Sequence, residues 1–246
     1  SVVIHPGLFE QGTGTYTTMR QIAAEELSCD PDEIRIDVHD TDSGVPFDSG
    51  IGGSRGTRVA SGAAFQAASE AREKLLALAA KLLQWPHADI ELAGNLLVHK
   101  RSNSRERWAD LLKRVGRSVI GGAVNRDDEH SPVTAFAAQV AEVSVDVETG
   151  EVKLLKLTTA HDTGTIMNPI GHQGQIDGGV VQGIGYGTIE YLPVQNGRVE
   201  IANFGEYKIP TVKDIPPLET VIVAGNDGVG PYSVKGIGEN PITPVA

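Results

Sequence analysis

The stretch Lys235-Gly236-Ile237-Gly238-Glu239-Asn240-Pro241 places one carboxylate between two glycines and a proline. The two glycines permit close backbone approach and unusual φ values, and the proline biases the residue before it toward an extended conformation. A rigid backbone without bulky neighbours is typical of a Glu that is presented to a ligand. A surface turn with a solvated Glu239 is the alternative that this heptapeptide alone leaves open.

Composition favours a globular protein without a nucleic-acid partner. The chain has 246 residues, 29 glycines and a formal net charge of -11 at pH 7, whereas a nucleic-acid-binding protein needs a basic face. An anionic ligand would therefore be bound mainly by backbone N–H groups and helix N-termini. No segment has the apolar length of a membrane span or the pattern of a signal peptide. The single cysteine, Cys29, cannot by itself bind an iron–sulfur cluster and fits a reducing, cytoplasmic compartment.

Two glycine-rich loops each precede a predicted helix. Residues 12–17, Gly-Thr-Gly-Thr-Tyr-Thr, follow an apolar strand and begin a helix that has Met19, Ile22, Ala23 and Leu27 on one face. Its threonines can cap the helix, or the free N–H groups can bind an anion. Residues 52–57, Gly-Gly-Ser-Arg-Gly-Thr, end a long polar loop and begin a helix that stops at Trp85-Pro86. We expect both loops to face a common cleft, with Glu239 at its mouth.

The second loop also fits the Gly-x-Ser-x-Gly pattern of a serine hydrolase, with Ser54 as the nucleophile and His161 or His172 as the base. That arrangement requires a buried strand directly before the serine, and residues 40–51 are acidic and contain glycine and proline. A loop that binds phosphate is the interpretation we favour.

The rest of the chain predicts a mixture of strands and helices. Strands are expected over Ile90 to Val98 with a turn at Gly94-Asn95, in a hairpin from Ala141 to Thr159, and over Val199 to Phe204 and Leu218 to Val223. Helices are expected over Trp108 to Val115 and after Asn168-Pro169, and an exposed loop over Asn125 to Pro132.

Glycines recur through the helix after Pro169, in Gly178-Gly179-Val180-Val181-Gln182-Gly183-Ile184-Gly185. Each costs about 1 kcal/mol relative to Ala in a helix, so they indicate close packing against another backbone or a flat ligand. Metal binding by His161, Asp162 and His172 is a weaker alternative, because such residues at strand ends more often satisfy neighbouring polar groups. We therefore expect no metal ligand among this chain's side chains.

Five motifs occur in an order that resembles the molybdenum-binding subunit of the xanthine dehydrogenase and aldehyde oxidase family, in the carboxy-terminal half of its molybdopterin-binding region. They are residues 12–17, residues 52–57, Asp162-Thr163-Gly164 with Asn168-Pro169, residues 178–185, and Gly236-Ile237-Gly238-Glu239. The resemblance covers nearly the whole chain. It implies an α+β fold with a mixed sheet, a molybdopterin-binding module that forms one lobe of a two-lobed arrangement.

The resemblance also implies a function and its residues. Glu239 corresponds to the catalytic base of a molybdenum hydroxylase that oxidises an aldehyde or N-heterocycle with oxygen from water. The molybdopterin cofactor, in its cytosine dinucleotide form, would contact Gly12, Thr13, Gly14, Gly53, Ser54, Arg55, Gln182 and Gly238. Iron–sulfur clusters and FAD would lie on other subunits or missing regions, and the assembled parent complex could be periplasmic. A noncatalytic ligand-binding or scaffold module is the remaining alternative.

Two positions depart from the family pattern. Thr13 stands where many members have Gln, and Asn240 stands where Pro often follows the Glu. Because the chain starts and stops abruptly, we expect one domain, 1–246, cut from a longer subunit that also has an N-terminal lobe, with a subdivision into 1–130 and 131–246. The isolated chain is expected to be inactive.

Overall fold

The chain divides into two compact units, residues 1–130 and 131–246. The computed structural model describes residues 1–40, 42, 44, 48–125 and 135–245. Helices and strands occur in both units, and each unit has a hydrophobic core of its own.

The first unit begins with two short parallel strands and two helices. Strand β1 (Val2–Ile4) pairs with β2 (Ile34–Ile36), and helix α1 (Thr15–Leu27) connects them. The Met19 face of α1 is buried as the sequence predicts. A turn of π-helix (Gly56–Ala60) leads into the long helix α2 (Ser61–Leu83), which packs on α1.

A small antiparallel sheet and a short helix complete the first unit. Strands β3 (Ile90–Ala93), β4 (Leu96–His99) and β5 (Arg105–Arg107) form the sheet in that order, and helix α3 (Trp108–Val115) follows. The fully buried side chains of Leu97 and Leu111 pack there with the second half of α2. The predicted hairpin and amphipathic helix in this region are confirmed.

The second unit is a three-stranded mixed sheet covered by one helix. A long hairpin is formed by β6 (Ala137–Val145) and β7 (Val152–Asp162), and helix α4 (Pro169–Thr188) follows. After a short hairpin of β8 (Val194–Gln195) and β9 (Arg198–Val199), β10 (Leu218–Val223) pairs in parallel with β7. Buried apolar residues of α4 pack on Leu157 of β7. The predicted α+β fold with a mixed sheet is confirmed.

Two sequence predictions remain, one for a strand in the second unit and one for a loop that begins at Asn125. The strand predicted over Val199 to Phe204 is wrong beyond Val199, because Phe204 is 96% exposed and has no core to pack on. The predicted loop from Asn125 to Pro132 lies outside the described residues except for Asn125 itself. None of the helices in the described part of the chain combines the length and apolar character needed to cross a lipid bilayer.

Candidate functional site: two glycine loops and a glutamate shelf

The first glycine loop wraps around the side chain of Glu10. The Oε1 atom of Glu10 accepts hydrogen bonds from the four consecutive N–H groups of residues 11–14, at 2.8 to 3.1 Å. Its Oε2 atom accepts from the N–H of Tyr16 at 2.9 Å. Gly12 and Gly14, with φ of 91° and 78°, supply the left-handed backbone that turns these amides inward. Such a concave run of amides is an anion-binding nest, and here the anion is a carboxylate of the chain itself.

This arrangement shows what the backbone N–H groups of the first loop contact in the folded chain. Burial alone would raise the pKa of Glu10, but the hydrogen bonds from Tyr16 and from the amides of residues 12–14 outweigh it and lower the pKa. The amides of Gly12, Thr13 and Gly14 are therefore hydrogen-bonded to the carboxylate of Glu10, and contact of these residues with a cofactor stays a prediction. The threonines do not cap α1 in their place. Sequence reasoning missed Glu10, although an acidic residue close to a helix N-terminus is a recognised signal.

The second glycine loop is more open. Gly52 and Gly53 are exposed, and no partner for their N–H groups is seen among the described residues. Arg55 is tied back onto its own loop, because its Nη1 atom donates to Asp48 Oδ1 at 2.6 Å and to the carbonyl oxygen of Gly50 at 2.5 Å. Both bonds use one nitrogen of the guanidinium group, and no partner for the other two is seen in the described residues. Unpaired amides beside an oriented arginine fit a phosphate-bearing group such as a dinucleotide cofactor.

The two loops lie against each other within the first unit. A Cβ atom added at Gly56 would lie 3.0 Å from Thr15 Oγ1, and one added at Gly50 would lie 3.5 Å from Gln11 Nε2. Both loops end at helix starts, as predicted, although the second helix begins through a turn of π-helix. That both loops face one cleft with Glu239 stays a prediction.

Ser54 lacks the setting of a serine nucleophile. Of the described residues directly before it, 48–50 have no regular structure and 51–53 form a bend and a turn, so no strand is present there. His161 has both ring nitrogens in hydrogen bonds to Thr159 and Asn240, so it is not poised to act as a base. The serine hydrolase alternative therefore has no structural support.

Glu239 lies on a turn that rests on the glycine face of α4. A Cβ atom at Gly179 would lie 3.0 Å from Pro241, and one at Gly183 would lie 2.7 Å from the carbonyl oxygen of Ile242. The predicted close packing of these glycines against another backbone is confirmed. The side chain of Pro241 is fully buried and Glu239 itself is exposed, so the turn is anchored on α4 while the glutamate is presented outward.

Asn240, next to the glutamate, is anchored to β7. Its Oδ1 atom lies 2.6 Å from Nδ1 of the fully buried His161, whose Nε2 lies 2.6 Å from Oγ1 of Thr159. Gln139 on the neighbouring strand donates from Nε2 to the carbonyl oxygen of Pro241 at 3.0 Å. We call this assembly of residues 239–242 with its supports on β6, β7 and α4 the glutamate shelf. The histidine contact at Asn240 was not predicted.

A buried lysine fixes the other end of the Glu239 segment. Lys235 Nζ lies 2.7 Å from Asp162 Oδ2 and 2.9 Å from Asp227 Oδ1. The hydrogen bond to Asp162, together with that to Asp227, raises the pKa of Lys235 although burial opposes it. Asp162 is thus engaged in an ion pair, in keeping with a structural role for the strand-end residues.

The remaining predicted contacts and His172 lie in the second unit. Gln182 is exposed on α4, and its Nε2 donates to the Tyr186 hydroxyl at 2.9 Å. Gly238 is half-buried directly before Glu239. Burial, with the proximity of His161, lowers the pKa of His172. Among the described residues, His161, Asp162 and His172 do not form a group with converging metal-binding atoms.

Similarity to known proteins identifies the family of this chain. A family model described as the molybdopterin cofactor-binding domain matches residues 1–216. The chain belongs to this family. The resemblance inferred from the five motifs is thereby confirmed.

Relatives of the chain are large subunits of molybdenum enzymes. It is 31% identical to the putative xanthine dehydrogenase molybdenum-binding subunit of Escherichia coli, over 100% of this chain and 34% of that protein. It is 34% identical to the nicotine 6-hydroxylase large subunit of Paenarthrobacter nicotinovorans, over 98% of this chain and 31% of that protein. The crystal structure of quinoline 2-oxidoreductase from Pseudomonas putida superposes with a TM-score of 0.87 and 25% identity, over 99% of this chain and 32% of that one. The chain thus spans about a third of the length of these relatives.

Proposed function

We propose that this chain is part of a molybdenum hydroxylase, in which it binds the molybdopterin cofactor and supplies Glu239 as the general base. The glutamate shelf is the observation that carries the proposal, because it holds an exposed carboxylate on an anchored backbone. A general base must be positioned within hydrogen-bond reach of the proton that it accepts. A mobile loop cannot meet that requirement, whereas a turn that packs on α4 and β7 can.

The second glycine loop provides the cofactor-binding side of the proposal. Gly53 would bring its backbone N–H group to a phosphate beside Ser54, and Arg55 would add the edge of its guanidinium group for which no partner is seen among the described residues. The first loop would contribute through the shape of its surface and through Thr13, since its amides are bonded to Glu10. Gln182 and Gly238 are the further residues that we propose for cofactor contact. We infer the cytosine dinucleotide form, whose phosphates give the exposed amides an anionic partner.

The reaction assigns a clear task to Glu239. When bound, the molybdenum cofactor supplies the two-electron redox chemistry and the site at which oxygen from water enters the substrate. Glu239 accepts the proton that must leave as that oxygen attacks an electron-poor carbon. Xanthine, nicotine and quinoline in the names of some relatives are N-heterocycles, and another solved relative is named an aldehyde oxidoreductase, so the proposed substrate is an N-heterocycle or an aldehyde.

The proposal implies partners. One cysteine is too few for an iron–sulfur cluster, which takes four such ligands, so electrons would leave through an iron–sulfur subunit and an FAD subunit. The remaining lobe of the same subunit would close over the substrate. A relative whose name describes it as a subunit of a dehydrogenase complex supports such an assembly.

Substitution of Glu239 in the assembled complex tests this function. Glu239→Gln keeps the shape and hydrogen-bonding reach of the side chain but removes the base. We expect normal molybdenum content and a turnover lowered at least ~100-fold, the scale of lost general-base catalysis. Glu148→Gln, at the exposed turn of the β6–β7 hairpin, is the matched control and should leave both unchanged.

Three outcomes are informative. Full activity of the Glu239→Gln complex with full metal content would show that another group is the base. Absence of both molybdenum and pterin from the natively expressed wild-type complex would favour a noncatalytic binding or scaffold module. Covalent labelling of Ser54 by a fluorophosphonate would revive the hydrolase alternative.

A further inference from the structure

Three side chains with metal-binding atoms meet where β1 and β2 end. His5 directly follows β1, and Asp37 directly follows β2. Ile4 and Ile36 are paired in register, and the N–H of Asp37 donates to the carbonyl oxygen of Ile4 at 2.9 Å. Because the strands are parallel, the residues that follow them come out at the same edge. The backbone therefore brings two distant parts of the sequence together here.

His39 completes the cluster. It lies two residues beyond Asp37, so the alternation of an extended chain directs both side chains to one face. The Nδ1 atom of His5 lies 3.8 Å from Oδ2 of Asp37 and directly contacts Nε2 of His39. One donor atom from each residue lies within 4.8 Å of the other two. Three potential ligand atoms thus converge on one point.

We propose that His5, Asp37 and His39 bind one divalent transition-metal ion of the zinc type. Zinc takes imidazole nitrogen and carboxylate oxygen at about 2.0 to 2.2 Å in a tetrahedron, which sets its ligand atoms about 3.4 Å apart. Small side-chain rotations would bring the three atoms to that spacing. The half-exposed imidazole of His5 leaves the fourth position to water. Two nitrogens in the set argue against Mg²⁺ and Ca²⁺, which prefer oxygen ligands only.

Arg35 is the competitor for this site. Its Nη2 atom lies 3.4 Å from Asp37 Oδ2, and its side chain is 66% exposed. An exposed ion pair of this kind contributes little, so a bound cation can displace the guanidinium group. The competition also makes a prediction, because removal of Arg35 should strengthen metal binding.

The position of the cluster gives the ion a structural role. The first glycine loop leaves β1 through His5, and the second leaves β2 through Asp37 and His39. With three residues in each strand, this two-stranded sheet is short enough to be marginal by itself. An ion bound here would connect the segments that directly follow β1 and β2, and its binding would stabilise the first unit by mass action.

Zinc titration of the full chain by isothermal calorimetry tests the site. The chain should carry no affinity tag and should contain Cys29→Ser, so that its one thiol does not bind zinc. We expect one Zn²⁺ per chain with a Kd of about 10 μM or lower. His5→Ala and His39→Ala should each weaken binding at least ~100-fold, the upper range seen when even outer partners of a ligand are lost. Arg35→Gln should tighten it.

His87 offers a matched control in the same unit. Its Nε2 atom lies 3.8 Å from Glu73 Oε2, so it reproduces the histidine–carboxylate pair without a second histidine. His87→Ala should bind zinc as the parent chain does. If a variant lost its fold by circular dichroism, His5→Gln or His39→Gln would replace it, because glutamine retains a hydrogen-bonding side chain.

Two results would overturn the proposal. One is the absence of stoichiometric zinc binding by the parent chain at that affinity, which would leave an imidazole pair held by a hydrogen bond. The other is retention of binding in the double variant His5→Ala/His39→Ala. Neither result bears on the molybdenum assignment, because zinc binding is measured without cofactor or turnover.

Discussion

The two glycine loops of the first unit have similar sequences, but their backbone N–H groups differ in what they contact. In the loop at residues 12–17, the amides surround the carboxylate of Glu10. In the loop at residues 52–57, the amides of Gly52 and Gly53 are exposed and show no partner among the described residues. Both have backbone in the left-handed region, at Gly12, Gly14, Gly53 and Ser54. The difference lies in what the amides contact.

A glycine-rich loop before a helix therefore indicates an anion site, but it does not indicate whether the anion is a side chain of the protein or a ligand. Glu10 satisfies the N–H groups of the first loop. An external phosphate would have to displace its carboxylate, which accepts hydrogen bonds from five backbone N–H groups. In the second loop, the arginine–aspartate pair fixes the shape and leaves the exposed amides for a ligand. The first loop therefore has a structural role, and the second is the loop that we propose for ligand binding.

Loss of Arg55 should produce the largest difference between the loops. Arg55→Met removes a charged hydrogen-bond donor, worth about 1.5 to 3 kcal/mol, and should lower cofactor affinity about 10- to 100-fold. Glu10→Gln should leave cofactor affinity within about threefold, because it affects amides that hydrogen-bond to Glu10 and to which the proposal assigns no phosphate. Molybdenum and nucleotide content of the purified complex measure both. The reverse order of effects would show that the first loop is the cofactor site.

Acid stability should depend on the first loop. The folded chain lowers the pKa of Glu10 below its ordinary value of 4.5, so folding favours the ionised form. Its stabilisation is complete above that value and is lost as the pH falls through the lowered pKa. Glu10→Ala should cost about 2 kcal/mol at pH 7, the upper range for a helix cap. Urea unfolding from neutral to acidic pH should show a smaller acid loss for Glu10→Gln than for wild type, and parallel curves would contradict the role of Glu10.

Backbone strain gives the smallest effect. Gly53 has a φ of 77°, whereas Gly52 lies outside the left-handed region, and no atom of the described residues lies within 4 Å of a Cβ at either position. Gly53→Ala should cost about 1 kcal/mol, the strain of a Cβ in left-handed backbone, and Gly52→Ala should be close to neutral. Denaturant unfolding of the two variants measures the difference. Equal stabilities would mean that the loop relaxes to another conformation.

Local sequence signals predicted much of the fold, because apolar periodicity and turn residues agree along most of the chain. The face of α1 around Met19, the hairpin over β6 and β7 and the start of α4 after Asn168 follow from such signals. The error near Val199 has a physical cause. Asn196-Gly197 forms a tight turn with φ of 52° and 76°, a strong hairpin signal, and the apolar residues beyond it lack a core.

Prediction of the site was less complete, because it depends on contacts between distant residues. Glu239 and the glycines of α4 are visible as motifs, but the contact between Asn240 and His161 joins positions 79 residues apart. His5 and Asp37 meet through strand register, which no local pattern records. The hydrogen bonds of Glu10 are local, yet they required the left-handed φ values of the loop to become apparent.

The glycine face of α4 also determines how close the Glu239 turn lies to the helix. Substitutions at these glycines can therefore be used to move the glutamate. At Gly179 an added methyl group would meet Pro241 at 3.0 Å, a contact that a shift of a few tenths of an ångström relieves. At Gly183 an added methyl group would lie 2.7 Å from the backbone carbonyl oxygen of Ile242, a contact that only a larger shift of the turn could relieve. Since a misplacement of about 1 Å can cost about 100-fold in rate, substitution at position 179 would adjust the position of the proposed base in small steps, whereas substitution at position 183 would displace the turn that supports it.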